Sequence, residues 1–198
     1  MTDVLLTGIG GQGVLSTSAV LARAAQLDGF FVRGVTLHGL AQRGGSTHTF
    51  IRFSKDKVFS PSVLTANADL ILAFEPLEAL RVLKYASKEK TAIVVNDYPL
   101  TPIYSNVLKI PYPKKEEIMS KLKKFSKEVV VFNAFGKTKE EYGNILYGNL
   151  MLLGISIGKG FLNLSEKNVE KAILCTIKYD LDKNLKAFRE GVSLGKKL

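Results

Sequence analysis

Asp3-Val-Leu-Leu-Thr7, Gly8-Ile-Gly-Gly-Gln-Gly13 and the Ala- and Leu-rich run from Val14 to Asp28 follow one another at the start of the chain. The first is a short apolar run that reads as a buried strand. The second matches the G-x-G-x-x-G pattern between a strand and a helix. The third has helical character, and Gly29 supplies its stop. Residues 30–36 (Phe-Phe-Val-Arg-Gly-Val-Thr) read as the next strand. A strand–loop–helix–strand unit is the opening of a parallel sheet. It sets the expected fold class as α/β: a Rossmann-like, doubly wound, mostly parallel sheet with helices on both faces.

Outward from this unit, Leu37 to Ser46 is a second glycine-rich loop. Thr47 to Phe53 alternates as a strand does, with Phe59 as an edge extension. Ala68 to Phe74, residues 91–95 and residues 129–133 are buried-type strands, and Val107 to Ile110 reads as a short one. Glu75-Pro76 opens a helix to about Ala86, with Pro where its missing N–H costs little. Lys114 to Ser126 is amphipathic. Residues 142–159, 165–179 and 183–195 read as helices, with Ser165 as a cap for the second. The expectation is a single domain over residues 1–198 with a helical C-terminal segment from about residue 142.

Composition bounds what such a chain does. Its 198 residues are 46% hydrophobic and 23% charged, ordinary for a globular protein. A single cysteine, Cys175, excludes an intramolecular disulfide. It also leaves too few thiolates for an iron–sulfur cluster or a Cys-rich zinc site, and fits a reducing cytoplasm. The N-terminus lacks a signal-peptide pattern. No apolar stretch reaches the roughly 18 residues of a membrane span. The net charge is +10, and residues 109–127 carry seven Lys against Glu116 and Glu117. That segment is either a docking face for nucleic acid, an acidic protein or a phosphate-rich cofactor, or a solvated helix. It lacks the interleaved aromatics of single-stranded nucleic-acid binders, so nucleic acid is not an expected partner, and without a spanning stretch neither is a membrane.

The chemistry concentrates in the two loops. Glycines at 8, 10, 11 and 13 permit tight turning and close ligand approach. The helix that follows offers free N–H groups to an anion. Either the loop binds a phosphate-type ligand or its glycines serve only strand–helix packing. A dinucleotide site normally adds Asp or Glu at the end of the second strand. No acidic residue lies between Asp28 and Asp56, leaving only an NADP variant with Arg33 as phosphate partner. The second loop, His38-Gly-Leu-Ala-Gln42-Arg43-Gly44-Gly45-Ser46, should lie beside the first. Arg43 has the fork geometry for a carboxylate or phosphate, or for a surface salt bridge. Gly44, Gly45 and Ser46 are candidate backbone donors. His38 is a candidate hydrogen-bond donor or proton carrier, or an ordinary loop histidine. The candidate ligand- or cofactor-binding set is Gly8, Gly10, Gly11, Gln12, Gly13, Gln42, Arg43, Gly44, Gly45 and Ser46. His38 and Arg43 are candidate supports for catalysis. No metal-ligand spacing, nucleophile elbow or Walker lysine is present.

Together the two loops resemble the gamma-subunit family of 2-oxoacid:ferredoxin oxidoreductases. The resemblance extends to Phe74-Glu75-Pro76-Leu77-Glu78-Ala79, the Asn96 strand end, and Gly143-Asn144 through Asn149 to Gly154. The His-Gly-x-Ala-Gln-Arg-Gly-Gly-Ser form points to the beta subunits of indolepyruvate ferredoxin oxidoreductases. Gamma subunits acting on pyruvate, 2-oxoglutarate or branched-chain oxoacids are the alternative within the family. A stand-alone NAD(P)-binding oxidoreductase is the alternative outside it. The resemblance implies a complex that oxidatively decarboxylates arylpyruvates, forms the coenzyme A thioester and reduces ferredoxin. It places thiamine diphosphate and the [4Fe-4S] clusters on a larger alpha subunit, and implies that the isolated small subunit is inactive. The glycine loops are then expected to face that partner or to bind coenzyme A.

Overall fold

A computed structural model describes residues 1–38, 44–100 and 111–198. The elements run β1 (Thr2–Ile9), α1 (Val14–Leu27), β2 (Phe31–His38), β3 (Ser46–Ser54), β4 (Leu70–Ala73), α2 (Pro76–Arg81), β5 (Ala92–Asn96), α3 (Lys115–Phe125), β6 (Glu128–Phe132), α4 (Ala134–Tyr142), α5 (Gly148–Gly158), α6 (Glu166–Thr176) and α7 (Leu181–Lys197). The described strands form a six-stranded sheet in the order β2-β3-β1-β4-β5-β6. The β1–β4, β4–β5 and β5–β6 pairings are parallel.

Strand polarity explains how the sheet is covered. Successive residues face opposite sides, and β4 and β5 are buried throughout, as parallel strands with helices on both faces must be. Val4, Leu6, Leu70, Leu72 and Val94 join α1, α5, α6 and α7 in one core cluster. Leu5, Ile71, Ala73, Ile93 and Val95 join α2 and α3 in the other. In α3, Ile118 and Leu122 are buried, and Lys115 pairs with Asp97 at 2.5 Å. Among the described residues no helix is long and apolar enough to cross a membrane.

The sheet departs from the expected opening in one respect. β3 lies between β1 and β2 and is antiparallel to both. Parallel neighbours need a crossover of a dozen or more residues, and the link of residues 39–45 is too short for one. It closes a hairpin instead. Phe59 extends no strand; it lies beyond the end of β3 and is 83% exposed. The helix opened by Pro76 ends at Arg81 and gives way to a 3-10 turn, Leu83–Tyr85. Ser165 stands at the N-cap of α6 without a side-chain capping bond; its N–H donates to Asp28 Oδ2 instead. Residues 142–159 begin with a 3-10 turn at Ile145–Tyr147 before α5. The short strand read at Val107 to Ile110 lies outside the described residues.

Helix α4 is an addition. Its signals were caps rather than periodicity. Asn133 Oδ1 accepts from the Gly136 N–H at the start, and Gly143 takes the left-handed conformation at the end. Asn96, fully buried, joins it to the sheet. Its Oδ1 accepts from the N–H groups of Ala134 and Phe135, at 3.0 and 3.2 Å.

Candidate functional site

The first glycine loop leaves β1 at the carboxyl edge of the parallel strands. Its shape comes from glycine conformation and one buried carboxamide. Gly11 and Gly13 hold φ of 100° and 82°, values that cost an L residue with a side chain roughly 1–2 kcal/mol. Gln12 is buried. Its Oε1 accepts from the Ile9 N–H at 2.7 Å, and its Nε2 donates to the Phe74 carbonyl at 3.3 Å. Asn96 Nδ2 donates to the same carbonyl at 3.1 Å. Two carboxamides thus bind the loop to the ends of β4 and β5.

The second loop closes on the first through backbone bonds. The Gly10 N–H donates to the Gly45 carbonyl at 2.7 Å, and the Gly44 N–H to the Gly10 carbonyl at 3.3 Å. The loops are therefore neighbours, but these donors are spent between them. Ser46 faces the other side of the sheet, where its hydroxyl donates to Glu78. Gly8 is a packing position: a Cβ there would stand 2.9 Å from Gln12 Oε1 and 3.2 Å from Phe74 Cβ. Of the candidate residues, Gly10, Gly11, Gly13 and His38 line a cleft of about 480 Å³. Gly8, Gln12, Gly44, Gly45 and Ser46 are not among its lining residues. Gln42 and Arg43 lie outside the described residues.

What the cleft offers is the start of α1. The first bond of that helix runs from the Thr17 N–H to the Gly13 carbonyl at 3.0 Å. The N–H groups of Val14, Leu15 and Ser16 precede it and have no intrahelical acceptor. No side chain caps this end, and its first turn holds no acidic residue. Leu15, Ser16, Thr47 and Leu146 complete the walls, with Leu15 and Leu146 exposed apolar rims. This is an anion-accepting surface set in apolar surroundings. Ser16 was within reach of helix-start reasoning. Leu146 carried no local signal, because only the return of the chain after α4 brings it there.

Arg33 does not serve the cleft. It stands five residues before the end of β2, roughly 17 Å along the strand. β3 also moves the whole of β2 one place outward. The NADP variant of the dinucleotide reading therefore has no phosphate partner where it needs one. Among the described residues no group of three or more His, Cys, Asp or Glu side chains could hold a metal ion.

Behind the cleft runs a half-buried polar chain. His48 Nδ1 lies 2.9 Å from Thr7 Oγ1, and its Nε2 3.2 Å from Ser46 Oγ. The Ser46 proton goes to Glu78, which also holds Arg81 Nε at 3.0 Å. His48 Nε2–H therefore donates to Ser46, and the Thr7 hydroxyl donates to Nδ1. Burial, then the Arg81 cation, holds the His48 pKa below its ordinary 6.5. Burial pushes Glu78 above its ordinary 4.5, against the Ser46 hydrogen bond and Arg81. A depressed histidine stabilises the fold above its unfolded pKa and loses that contribution as pH falls through the folded value. Melting curves of wild type and His48→Gln, which both keep Glu78, isolate the term. The wild-type advantage should shrink steadily from pH 7 to pH 5; a constant gap contradicts the assignment.

Residues 3–194 match the pyruvate ferredoxin/flavodoxin oxidoreductase family. The chain is 35% identical over 190 residues to indolepyruvate oxidoreductase subunit IorB of Archaeoglobus fulgidus, covering 96% of this chain and 92% of that protein. It is 34% identical over 199 residues to the IorB of Thermococcus kodakarensis, with 99% and 96% covered. Against the common gamma subunit of the Pyrococcus furiosus pyruvate/ketoisovalerate oxidoreductases the identity is 26% over 199 residues, with 96% and 95% covered. Pyruvate oxidoreductase subunit PORC of Thermotoga maritima shares the fold, with a TM-score of 0.71 at 21% identity and 97% and 95% coverage. The 2-oxoglutarate:ferredoxin oxidoreductase of Magnetococcus marinus, solved with 2-oxoglutarate, coenzyme A and succinyl-CoA bound, matches with a TM-score of 0.66 at 20% identity. All of this chain corresponds to 31% of that one.

Proposed function

The chain belongs to the pyruvate ferredoxin/flavodoxin oxidoreductase family, and from that premise we propose that it is the small, beta-type subunit of an indolepyruvate:ferredoxin oxidoreductase. The observation that carries the reading is full-length identity of 34–35% to indolepyruvate subunits, against 26% to a pyruvate/ketoisovalerate gamma subunit. In the overall reaction an arylpyruvate carboxylate, coenzyme A and two oxidised ferredoxins give arylacetyl-CoA, carbon dioxide, two reduced ferredoxins and a proton. The bond between the carboxylate and the keto carbon breaks, and a thioester bond forms. The two electrons leave to ferredoxin.

A larger alpha subunit is the proposed carrier of thiamine diphosphate and the iron–sulfur clusters. A cluster takes four Cys thiolates, and this sequence has one Cys, exposed in the structure. That lone thiol suits a reducing cytoplasm. Within the complex this chain's part is to hold the phosphates of coenzyme A. The uncapped start of α1 supplies N–H donors in a fixed array, and Arg43 adds a planar fork from the second loop. The apolar rim of Leu15 and Leu146 fits the face that meets the larger subunit.

Reconstitution tests the subunit assignment. Indolepyruvate-dependent reduction of ferredoxin should require both chains; full activity of the larger subunit alone would overturn it. Calorimetric titration of coenzyme A tests the loop assignment. Arg43→Ala should weaken binding about tenfold to a hundredfold, the loss of a charge-assisted pair worth ~1.5–3 kcal/mol. Equal affinity of wild type and variant, both alone and in the complex, would reject it.

A further inference from the structure

We infer that the lysine-rich end of α3 is the docking surface for the acidic iron–sulfur protein that takes the electrons. This assignment rests on the oxidoreductase reading above, in which that protein is ferredoxin. A cluster held by four thiolates is itself an anion and gains negative charge when it is reduced, so the acceptor brings the charge that this surface lacks.

The surface lies at the edge of the sheet opposite the cleft. Lys115 ties the start of α3 to Asp97, just past the carboxyl end of β5. The helix then runs back for 11 residues, roughly 16 Å, and ends at Phe125 beside the amino ends of β5 and β6. There the Lys127 N–H donates to the Thr91 carbonyl at 2.9 Å, and Lys88 Nζ donates to the Lys123 carbonyl at 2.9 Å. Lys88, Lys121, Lys123, Lys124 and Lys127 are all exposed. None of them forms an ion pair among the described residues.

The helix dipole accounts for only part of this charge. Cations in the last turn complement it, which covers Lys123 and Lys124, while the acids Glu116 and Glu117 stand in the first turn. Lys121 lies one turn earlier, beside Lys124 and Phe125 on the helix surface. Lys88 and Lys127 arrive from outside the helix. The carboxylates near this end are few and engaged. Glu89 adjoins Lys88 and accepts from the Ser87 hydroxyl. Asp69 pairs with Lys90 at 3.0 Å, and Glu128 with Lys159 at 2.7 Å. Like charges gathered in this way repel one another and work against the compact state; an anionic partner turns that cost into attraction. Among them Phe125 is 48% exposed, with Lys124 Nζ 5.6 Å from its ring centroid. An exposed aromatic within a polar, charged rim is the anatomy of a protein–protein contact. A nucleic-acid strand calls for a series of aromatics, and α3 carries one.

The test uses the complex reconstituted with its larger subunit, supplied with indolepyruvate and coenzyme A. It reads the reduction of ferredoxin and, separately, of methyl viologen, a small acceptor that needs no protein docking. Lys121→Glu, Lys124→Glu and Lys127→Glu are combined in one variant, since all three side chains are exposed. Its KM for ferredoxin should rise about tenfold at low salt, the lower end of electrostatic steering. Its kcat with ferredoxin, its reduction of methyl viologen and its KM for coenzyme A should stay unchanged. Added salt should raise the wild-type KM for ferredoxin and leave that of the variant nearly constant. Arginine at the same three positions should preserve wild-type behaviour. An unchanged KM for ferredoxin overturns the docking surface while leaving the oxidoreductase reading in place. Loss of assembly or of methyl viologen reduction in the charge-reversed complex also overturns it and assigns the lysines to the seam with the larger subunit. If the reversal abolishes binding to duplex DNA or phosphatidylglycerol vesicles and spares ferredoxin, the surface serves that polyanion instead. No reduction of either acceptor by the wild-type complex removes the oxidoreductase reading and the docking surface with it.

Discussion

Gly191→Ala should destabilise the fold by about 3 kcal/mol, the upper end of ordinary overpacking costs. For a chain of this length that is a fall of roughly 6–12 °C in melting temperature. The reason is the crossing of α5 and α7, where four glycines let two backbones touch. A Cβ on Gly191 would stand 2.1 Å from the Met151 carbonyl oxygen, and one on Gly154 2.3 Å from that of Phe188. Gly158 and Gly195 repeat the arrangement one turn on, against Val192 O at 2.2 Å and Ile155 O at 2.5 Å. The obstacles are main-chain atoms, so no rotamer change relieves them. The helices must separate, and Met151, Leu152 and Phe188, all fully buried, lose close packing with them. Gly143→Ala is the control: it has open space and should cost only the left-handed backbone, ~1–2 kcal/mol. Gly154→Ala combined with Gly191→Ala should cost less than the sum, because either one already opens the shared crossing. A Gly191→Ala protein melting within 2 °C of wild type would refute the close crossing.

That crossing shows where the sequence was legible and where it was not. Gly154 with Gly158 and Gly191 with Gly195 repeat at helical spacing, yet nothing local says that the two pairs face each other. The parallel strands were legible because β4 and β5 lie in short apolar runs, one closing at Glu75 and the other at Asn96-Asp97. α1 was legible because Gly13 and Gly29 bracket it. The antiparallel place of β3 was not read, although the shortness of residues 39–45 carried it. α4 was missed because Gly136 interrupts its first turn and its signals sit in Asn133 and Gly143. In the site, Gly10, Gly11, Gly13 and His38 came directly from the motifs. Gln12 and Ser46 looked like ligand contacts because they are polar residues in glycine loops. Burial shows them bonding to Phe74 and Glu78 instead. Leu146 reaches the cleft by topology, more than a hundred residues after the loop it completes.

Gly13→Ala should weaken coenzyme A binding by about a hundredfold, the largest effect expected of any single methyl group in the site. Gly11→Ala, two residues away, should weaken it only about tenfold. Both positions hold a positive φ, so both pay the left-handed penalty of ~1–2 kcal/mol, about tenfold if it falls wholly on the bound form. They differ in surroundings. A methyl on Gly11 enters open space, whereas one on Gly13 meets Asn149 Nδ2 at 2.2 Å. The buried carboxamide has little room to withdraw, so the loop must move and carry the first N–H groups of α1 with it. Misplacing binding groups by about an ångström is enough to cost a further factor of ten or more. A double variant separates the terms. With Asn149→Ala the obstruction disappears, and Gly13→Ala in that background should cost no more than Gly11→Ala does in wild type. Titrations of coenzyme A into the five complexes, wild type, Gly11→Ala, Gly13→Ala, Asn149→Ala and the double variant, decide it. If Gly13→Ala and Gly11→Ala prove equal in the wild-type background, backbone conformation alone shapes the loop, and the contact between Gly13 and Asn149 has no part in positioning the donors.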